Sequence, residues 1–211
     1  MQPLEFKLSQ ANKPYAEACD ENKVPILDQL QRLFSETGSV LEIGSGTGQH
    51  GVFFAAAMPD LTWQTSDREE NLEGIRAWLS EAALDNLLSP LALDVTSVWP
   101  KTRYDAVFSA NTTHIMSWPA VISLFQGVGR VLQADGRFVL YGPFNYQGAF
   151  TSESNSRFDE WLKSRDPLSG IRDFDDLNAL AEDQGLIFEE DIEMPVNNRI
   201  LVWRKRVEPV R

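Results

Sequence analysis

The chain has 211 residues, 43% apolar and 24% charged, a composition that argues against disorder and leaves room for one α/β domain spanning residues 1–211. A formal net charge of −12 opposes binding to a phosphate backbone, so no nucleic-acid substrate is expected. A single cysteine, Cys19, excludes a disulfide framework and a thiolate zinc cluster, and no stretch approaches the roughly 20 apolar residues of a membrane span.

Met1 to Lys13 lacks the apolar core of a secretory signal, so a soluble cytoplasmic protein is expected. Residues 1 to 15 show no sustained period and are read as an extended arm. Residues 16 to 36 place Ile26, Leu27, Leu30, Leu33 and Phe34 at helical spacing, with Pro25 starting the second of two helical pieces. Val40 to Ile43 is a buried strand that runs into Gly44-Ser45-Gly46-Thr47-Gly48, and a helix-compatible run follows to Ala57. Glycines in such a turn accept positive φ and carry no Cβ to hold a ligand away, while amides at the helix start can face its polar atoms.

Alternation continues along the chain. Leu61–Ser66 reads as a strand, Glu69–Ala83 as a helix, Leu91–Leu93 and Tyr104–Ser109 as strands, Pro119–Leu132 as a helix and Arg137–Tyr141 as a strand. Strands alternating with helices imply right-handed crossovers and a parallel sheet covered on both faces. Phe174–Asp183 is a further helix. Leu186–Glu193 and Ile200–Lys205 are joined by too short a segment for a crossover helix, so those two strands run antiparallel. Residues 143 to 172 form the one long irregular segment, expected to be a substrate-side loop or lid, within which Phe158, Trp161 and Leu162 have the spacing of a lid helix.

Ligands of open α/β sheets bind at the carboxyl ends of the strands. Asp67 ends the second strand 19 residues after Gly48, where a doubly wound fold places an acid against a ribose diol; Asp94 ends the third and Asn111 the fourth. A dinucleotide turn reads G-x-G-x-x-G, whereas here the third glycine comes one place early, which weakens a nicotinamide oxidoreductase as the alternative. Glu42-x-Gly44-x-Gly46-x-Gly48, with Asp67 and Asp94, resembles the signature of class I S-adenosylmethionine-dependent methyltransferases. Glu21-Asn22-Lys23-Val24-Pro25-Ile26, Asn111-Thr112-Thr113-His114-Ile115, Tyr141-Gly142-Pro143-Phe144, Thr151-x-Glu153-Ser154-Asn155, Gly170-Ile171-Arg172-Asp173 and Met194-Pro195-x-Asn197-Asn198 resemble the methyltransferase-like group catalogued as domain of unknown function 938.

The resemblance covers nearly the whole chain and implies a Rossmann-like, doubly wound, seven-stranded, mostly parallel sheet with an antiparallel C-terminal strand. It implies S-adenosylmethionine as cofactor and methyl transfer to a small-molecule acceptor, with a non-catalytic S-adenosylmethionine-binding sensor as the alternative. The expected cofactor set is Glu42, Gly44, Ser45, Gly46, Gly48, Asp67, Asp94, Val95, Asn111 and Asn22. Trp99, Phe108 and Ala110 divide between adenine packing and core. On the acceptor side stand Tyr141, Phe144, Asn145, Tyr146, Asn155, Arg172 and Asn197, with Arg172 read either as a clamp for an anionic group or as the partner of Asp173 or Asp175. His114, just past the fourth strand, is the candidate general base, and His50 a weaker one. Two separated histidines and no acid triplet at ligand spacing leave no metal site. The acceptor's identity, the atom methylated and the oligomeric state stay open.

Overall fold

A computed structural model describes residues 13–207, so most of the expected N-terminal arm, residues 1 to 12, lies outside the described residues. The elements in order are α1 (Glu17–Leu33), β1 (Ser39–Ile43), α2 (Gln49–Ala57), β2 (Thr62–Asp67), α3 (Leu72–Ala82), β3 (Leu87–Ala92), β4 (Tyr104–Ala110), α4 (Trp118–Val131), β5 (Leu132–Gly142), β6 (Phe144–Asn145), α5 (Glu153–Arg165), β7 (Arg172–Asp173), α6 (Phe174–Asp183), β8 (Leu186–Met194) and β9 (Asn198–Lys205). Seven strands form one sheet in the order β3-β2-β1-β4-β5-β9-β8. Neighbours pair parallel except β9, which is antiparallel to both β5 and β8. The fold is the seven-stranded, Rossmann-like arrangement expected.

Both faces of the sheet are dry because successive residues of a strand point to opposite sides. Along β1, Val40 joins a cluster with Phe54, Trp63, Phe108 and Val139, on the face covered by α1 and α2. Leu41 and Ile43 join the other, with Phe125, Phe138 and Trp203, beneath α4 and α6. The central β1–β4 junction thereby puts the carboxyl ends of five parallel strands on one edge. Sequence order reverses between β1 and β4, which is where a crevice forms in such sheets.

Several boundaries differ from the sequence reading. α1 runs through Pro25 as one helix. An interior proline costs about 3 kcal/mol, and the full burial of Ile26 and Leu30, at about 1.5–3 kcal/mol each, offsets it. β3 starts at Leu87 instead of Leu91, pairing Trp63 with Leu87 across a register shift. β5 begins at Leu132, with the expected turn retained as an irregularity at Asp135, whose φ is 70°. Residues 143–172 are not wholly irregular: they contain β6 and α5, and Arg172 begins β7. Of the lid-helix trio on α5, Leu162 is buried, Phe158 half-buried and Trp161 exposed.

The turn from β8 to β9 holds two successive left-handed residues, Val196 (φ 60°) and Asn197 (φ 59°). Asparagine tolerates this region; a β-branched side chain does so only under strain. Val196 is 82% exposed and so has little burial to lose. Val196→Gly is expected to raise stability by about 1 kcal/mol, read as a higher denaturant midpoint; an unchanged or lower midpoint would mean the turn is unstrained.

Candidate functional site

The glycine turn closes the gap between β1 and α2. Gly44, Gly46 and Gly48 have φ of 71°, 58° and 93°. At Gly44 an added Cβ would lie 2.5 Å from the Thr112 methyl, so the turn is pressed against the loop that follows β4. Beside Gly46 the space is open. The turn's amides are largely engaged within the protein: Gly44 and Ser45 donate to the Ser66 carbonyl, Gly46 to Asp67 Oδ2 at 2.7 Å and Gly48 to the Ser45 carbonyl. At the helix start, Gln49 N donates to Thr47 Oγ1. What the turn offers is close approach.

Two carboxyl groups flank it. Asp67, 8% exposed, also accepts from Arg68 N and Asn71 Nδ2 through Oδ1, which joins the end of β2 to the turn and to the start of the segment leading into α3. Glu42 is buried under the turn and accepts from Trp63 Nε1 at 3.0 Å. Burial pushes its carboxyl up to about 7, and the nearby charge of Asp67 pushes the same way against the relief from Trp63 and Ser45. Asp94 is exposed; its Oδ1 accepts from the amide and hydroxyl of Thr96, which hold the carboxyl below its usual range. It lies in a hollow over the ends of β2 and β3 lined by Arg68, Glu69, Glu70, Ala92, Leu93 and Ser97. A further concavity, around Asp105, Arg137 and Arg204, opens at the opposite edge of the sheet, where Arg204 pairs with Asp135, Arg137 with Glu189, and Asp105 accepts from Gln133.

Other expected cofactor residues are placed differently. Val95 and Trp99 belong to the core, Trp99 Nε1 donating to the Val95 carbonyl while its ring fills the space left by Gly127, so neither side chain is free to form an adenine wall. Phe108 is equally a core residue, edge-on to Phe54 and tilted against Trp63. Asn22 lies within α1. Its Oδ1 bonds His50 Nε2 at 2.7 Å and its amide helps hold the Tyr141 hydroxyl, together with Asn198. Burial drives His50 down to about 4, and its Nε2 is engaged by Asn22.

On the acceptor side, Asn111 takes the left-handed conformation (φ 58°) and donates its amide to the Tyr141 carbonyl. His114 is 6% exposed, its ring edge-on to Phe158 of α5, and its Nδ1 is buried without a hydrogen-bond partner among the described residues. Burial, reinforced by the neighbouring Arg172 charge, lowers its pKa to about 4, so the imidazole is neutral at pH 7. Asn145 Oδ1 is likewise buried and unpartnered.

The ion-pair reading of Arg172 is corrected: among the described residues it pairs with neither Asp173 nor Asp175. Its guanidinium donates to the carbonyls of Thr113, Met116 and Leu168, because a half-buried cation must find acceptors where it lies. Asp173 instead accepts from Gly148 N and caps α6 through Asp175 N. Tyr141 and Phe144 are buried, Phe144 wholly within the core. Tyr146 donates to Asp191. Asn155 and Asn197 bind each other's segments, Asn155 Nδ2 to the Asn197 carbonyl and Asn197 Nδ2 to Ser154 Oγ, fastening α5 to the β8–β9 turn. Two residues went unrecognised in the sequence. Gln49, buried next to Gly48, accepts from Ala16 N at 2.6 Å and leaves Nε2 buried without a partner among the described residues. Thr112 bonds Ser109 Oγ while its methyl bears on Gly44.

The raised Glu42 gives a stability signature. The folded state holds this proton more tightly than the unfolded one, so folding stability falls as pH rises from 4.5 through about 7 and the full loss is present above that. Glu42→Gln keeps an acceptor for Trp63 but cannot ionise. It is expected to match the parent near pH 5 and exceed it near pH 8 by about 3 kcal/mol, measured by denaturant titration; a difference independent of pH would rule out a buried, titrating Glu42.

Among solved structures, the fold is similar to that of an O-methyltransferase family protein from Burkholderia thailandensis, with a TM-score of 0.77 and 12% identity over 86% of this chain and 55% of that one. The S-adenosylmethionine-dependent methyltransferase SibL in its apo form gives a TM-score of 0.77 at 20% identity over 90% of this chain and 56% of its own. CalO1, a methyltransferase in calicheamicin biosynthesis in its SAH-bound form, gives 0.73 at 18% identity over 89% and 54%. At such identities the likeness is one of fold, and the chain spans a little over half the length of these proteins. Residues 13–205 match a single family model along almost the whole chain, and the chain belongs to the family described as Protein of unknown function (DUF938).

Proposed function

We propose that this chain transfers a methyl group from S-adenosylmethionine to a small-molecule acceptor. The observation that carries the reading is the glycine turn: its residues adopt left-handed backbone, it is open beside Gly46, and its amides are already engaged. A pyrophosphate needs free backbone donors and is opposed by carboxylates, so the turn suits a dinucleotide poorly. An adenosine bearing a cationic sulfonium and an amino-acid end suits it well.

The residues fit each part of that molecule. Asp67 has acceptor capacity left for a ribose diol, and Asp94 presents a carboxylate in the hollow where an adenine amino group needs an acceptor. The buried, unpartnered Nε2 of Gln49 is a donor of the kind a carboxylate takes, and Glu42 beneath the turn favours a nearby ammonium. When bound, the cofactor supplies an electrophilic methyl group. The chain's own contribution is to hold the acceptor in line and exclude water, effects worth up to about 7–11 kcal/mol at ideal orientation. The acidic surface supports a small molecule over nucleic acid as the acceptor.

Calorimetry is expected to show one molecule of S-adenosylhomocysteine bound per chain and no heat with NADH. Asp94→Ala, which alters an exposed side chain, should weaken that binding about tenfold, and Asp67→Ala more. Absence of binding by both S-adenosylmethionine and S-adenosylhomocysteine, or parental affinity in both variants, would overturn the reading.

A further inference from the structure

Glu42 is a buried acid without a counter-ion. It is 2% exposed at the end of β1, and its hydrogen bonds are to neutral groups, Trp63 Nε1 at 3.0 Å and Ser45. Among the described residues no cation pairs with it, and the charge that bears on it is that of Asp67, of its own sign. A Cβ on Gly51 would lie 2.9 Å from Glu42 Oε2 and 2.6 Å from Thr65 Cγ2, so the bare backbone of α2 closes over both side chains. Thr65, the cross-strand neighbour of Glu42, is wholly buried, and its hydroxyl lacks a partner among the described residues. A carboxylate in such surroundings is costly to ionise unless a cation stands beside it.

The groups that face Glu42 do not supply that cation. From α1 come Cys19, a thiol that burial and the Glu42 charge push upward and keep neutral, and Asp20 and Lys23, which pair with each other. From α2 comes His50, held at about 4 and engaged by Asn22. β2 contributes Trp63, Thr65 and Asp67, and β4 the ring of Phe108. Beside this acid stands a donor with nothing to hold: Gln49 Nε2 is buried and unpartnered among the described residues, while its Oε1 receives the Thr47 hydroxyl at 3.0 Å. Thr47 in turn bonds the Cys19 thiol, which lies within range of the Glu42 charge. An amide donor and an uncompensated acid therefore meet at the first turn of α1. In an α-amino acid the carboxylate and the ammonium sit on one carbon, so a donor that holds the first brings the second toward the acid.

We propose that Glu42 is a proton-linked counter-ion for the cofactor's amino-acid end: arrival of the ammonium drives the carboxyl's proton to solvent, so binding releases a proton and tightens as pH rises. This deepens the methyltransferase reading and rests on it. No covalent bond of the cofactor changes. The O–H bond of Glu42 breaks, its electron pair stays on the carboxylate, and the buffer takes the proton. Burial holds the carboxyl at about 7 in the protein alone, and a cation within about 4–6 Å lowers a carboxyl by about 1–3 pH units. Near pH 6 the protein alone therefore carries the proton and the complex has largely lost it. His50 and His114, both at about 4, stay neutral from pH 6 upward and do not contribute.

Calorimetry of S-adenosylhomocysteine binding to the full chain, repeated at pH 6 in buffers of different ionisation enthalpy, counts the proton directly. This ligand carries the ammonium but no sulfonium, so a proton released on its binding belongs to the amino-acid end. Release approaching one proton per chain is expected, with affinity about eightfold tighter at pH 7.5 than at pH 6. 5′-Methylthioadenosine keeps the nucleoside and thioether but lacks the amino-acid end, and is expected to release none. Glu42→Gln should also release none and bind S-adenosylhomocysteine alike at both pH values, more weakly than the parent at pH 7.5. Binding of S-adenosylhomocysteine without proton release, equal release with 5′-methylthioadenosine, or release that persists in Glu42→Gln overturns the proposal. Failure of S-adenosylhomocysteine to bind at either pH overturns the cofactor reading instead, so the two are separable.

Discussion

The carboxylate of Asp67 is the tie on which the site depends. One oxygen holds the amide of Gly46, and the other holds Arg68 N and Asn71 Nδ2, so the end of β2, the turn after β1 and the approach to α3 move as one piece. Among ordinary side chains only a carboxylate has acceptor sites enough for three such donors and capacity to spare. The cost is electrostatic. With Glu42 buried under the same turn, two acidic groups share a poorly solvated region, and the deeper one responds by holding its proton. A turn flanked in this way is hospitable to neutral or cationic groups and hostile to phosphate, which gives the glycine spacing a physical counterpart.

The segment leading into α1 is built onto this turn. Ala16 N is received by Gln49, Pro14's carbonyl by Trp78 Nε1, and Asn22 by His50, while Lys13 sits over the Trp78 ring. Gln49 and His50 open α2, so the first turn of α1 and the first turn of α2 are bonded face to face. Tyr141 extends the same network to the end of β5 and to Asn198 beyond the strained turn. The two sides of the crevice are therefore joined beneath the sheet edge by uncharged hydrogen bonds, with both histidines neutral. Such a network holds geometry without placing charge where a ligand would have to displace it.

What could be read from the sequence is what local chemistry compels. The β1 turn announced itself because three glycines at alternate positions have few other uses, and Asp67 because strand and acid fall at a fixed distance from it. The antiparallel β9 followed from a connection too short to cross the sheet. Boundaries slipped where tertiary burial outweighed a local signal, as at Pro25, where the buried face of α1 overrides a helix breaker, and at Leu87, where pairing with Trp63 extends a strand that has no alternation of its own. Val95 was read toward the cofactor, and Trp99 left between adenine and core, for a related reason. An apolar residue beside a functional acid looks the same in sequence whether it turns toward ligand or core.

The acceptor side was harder because its residues act on one another across long separations. Arg172 shows the difficulty. Beside Asp173 and Asp175 in sequence it reads as an ion-pair partner or an anion clamp, yet in space it gathers three carbonyls from residues 113, 116 and 168. Its charge is thereby fixed next to His114. The effect on the site is indirect: together with burial, that charge keeps the imidazole unprotonated, available as an acceptor and unable to act as an acid.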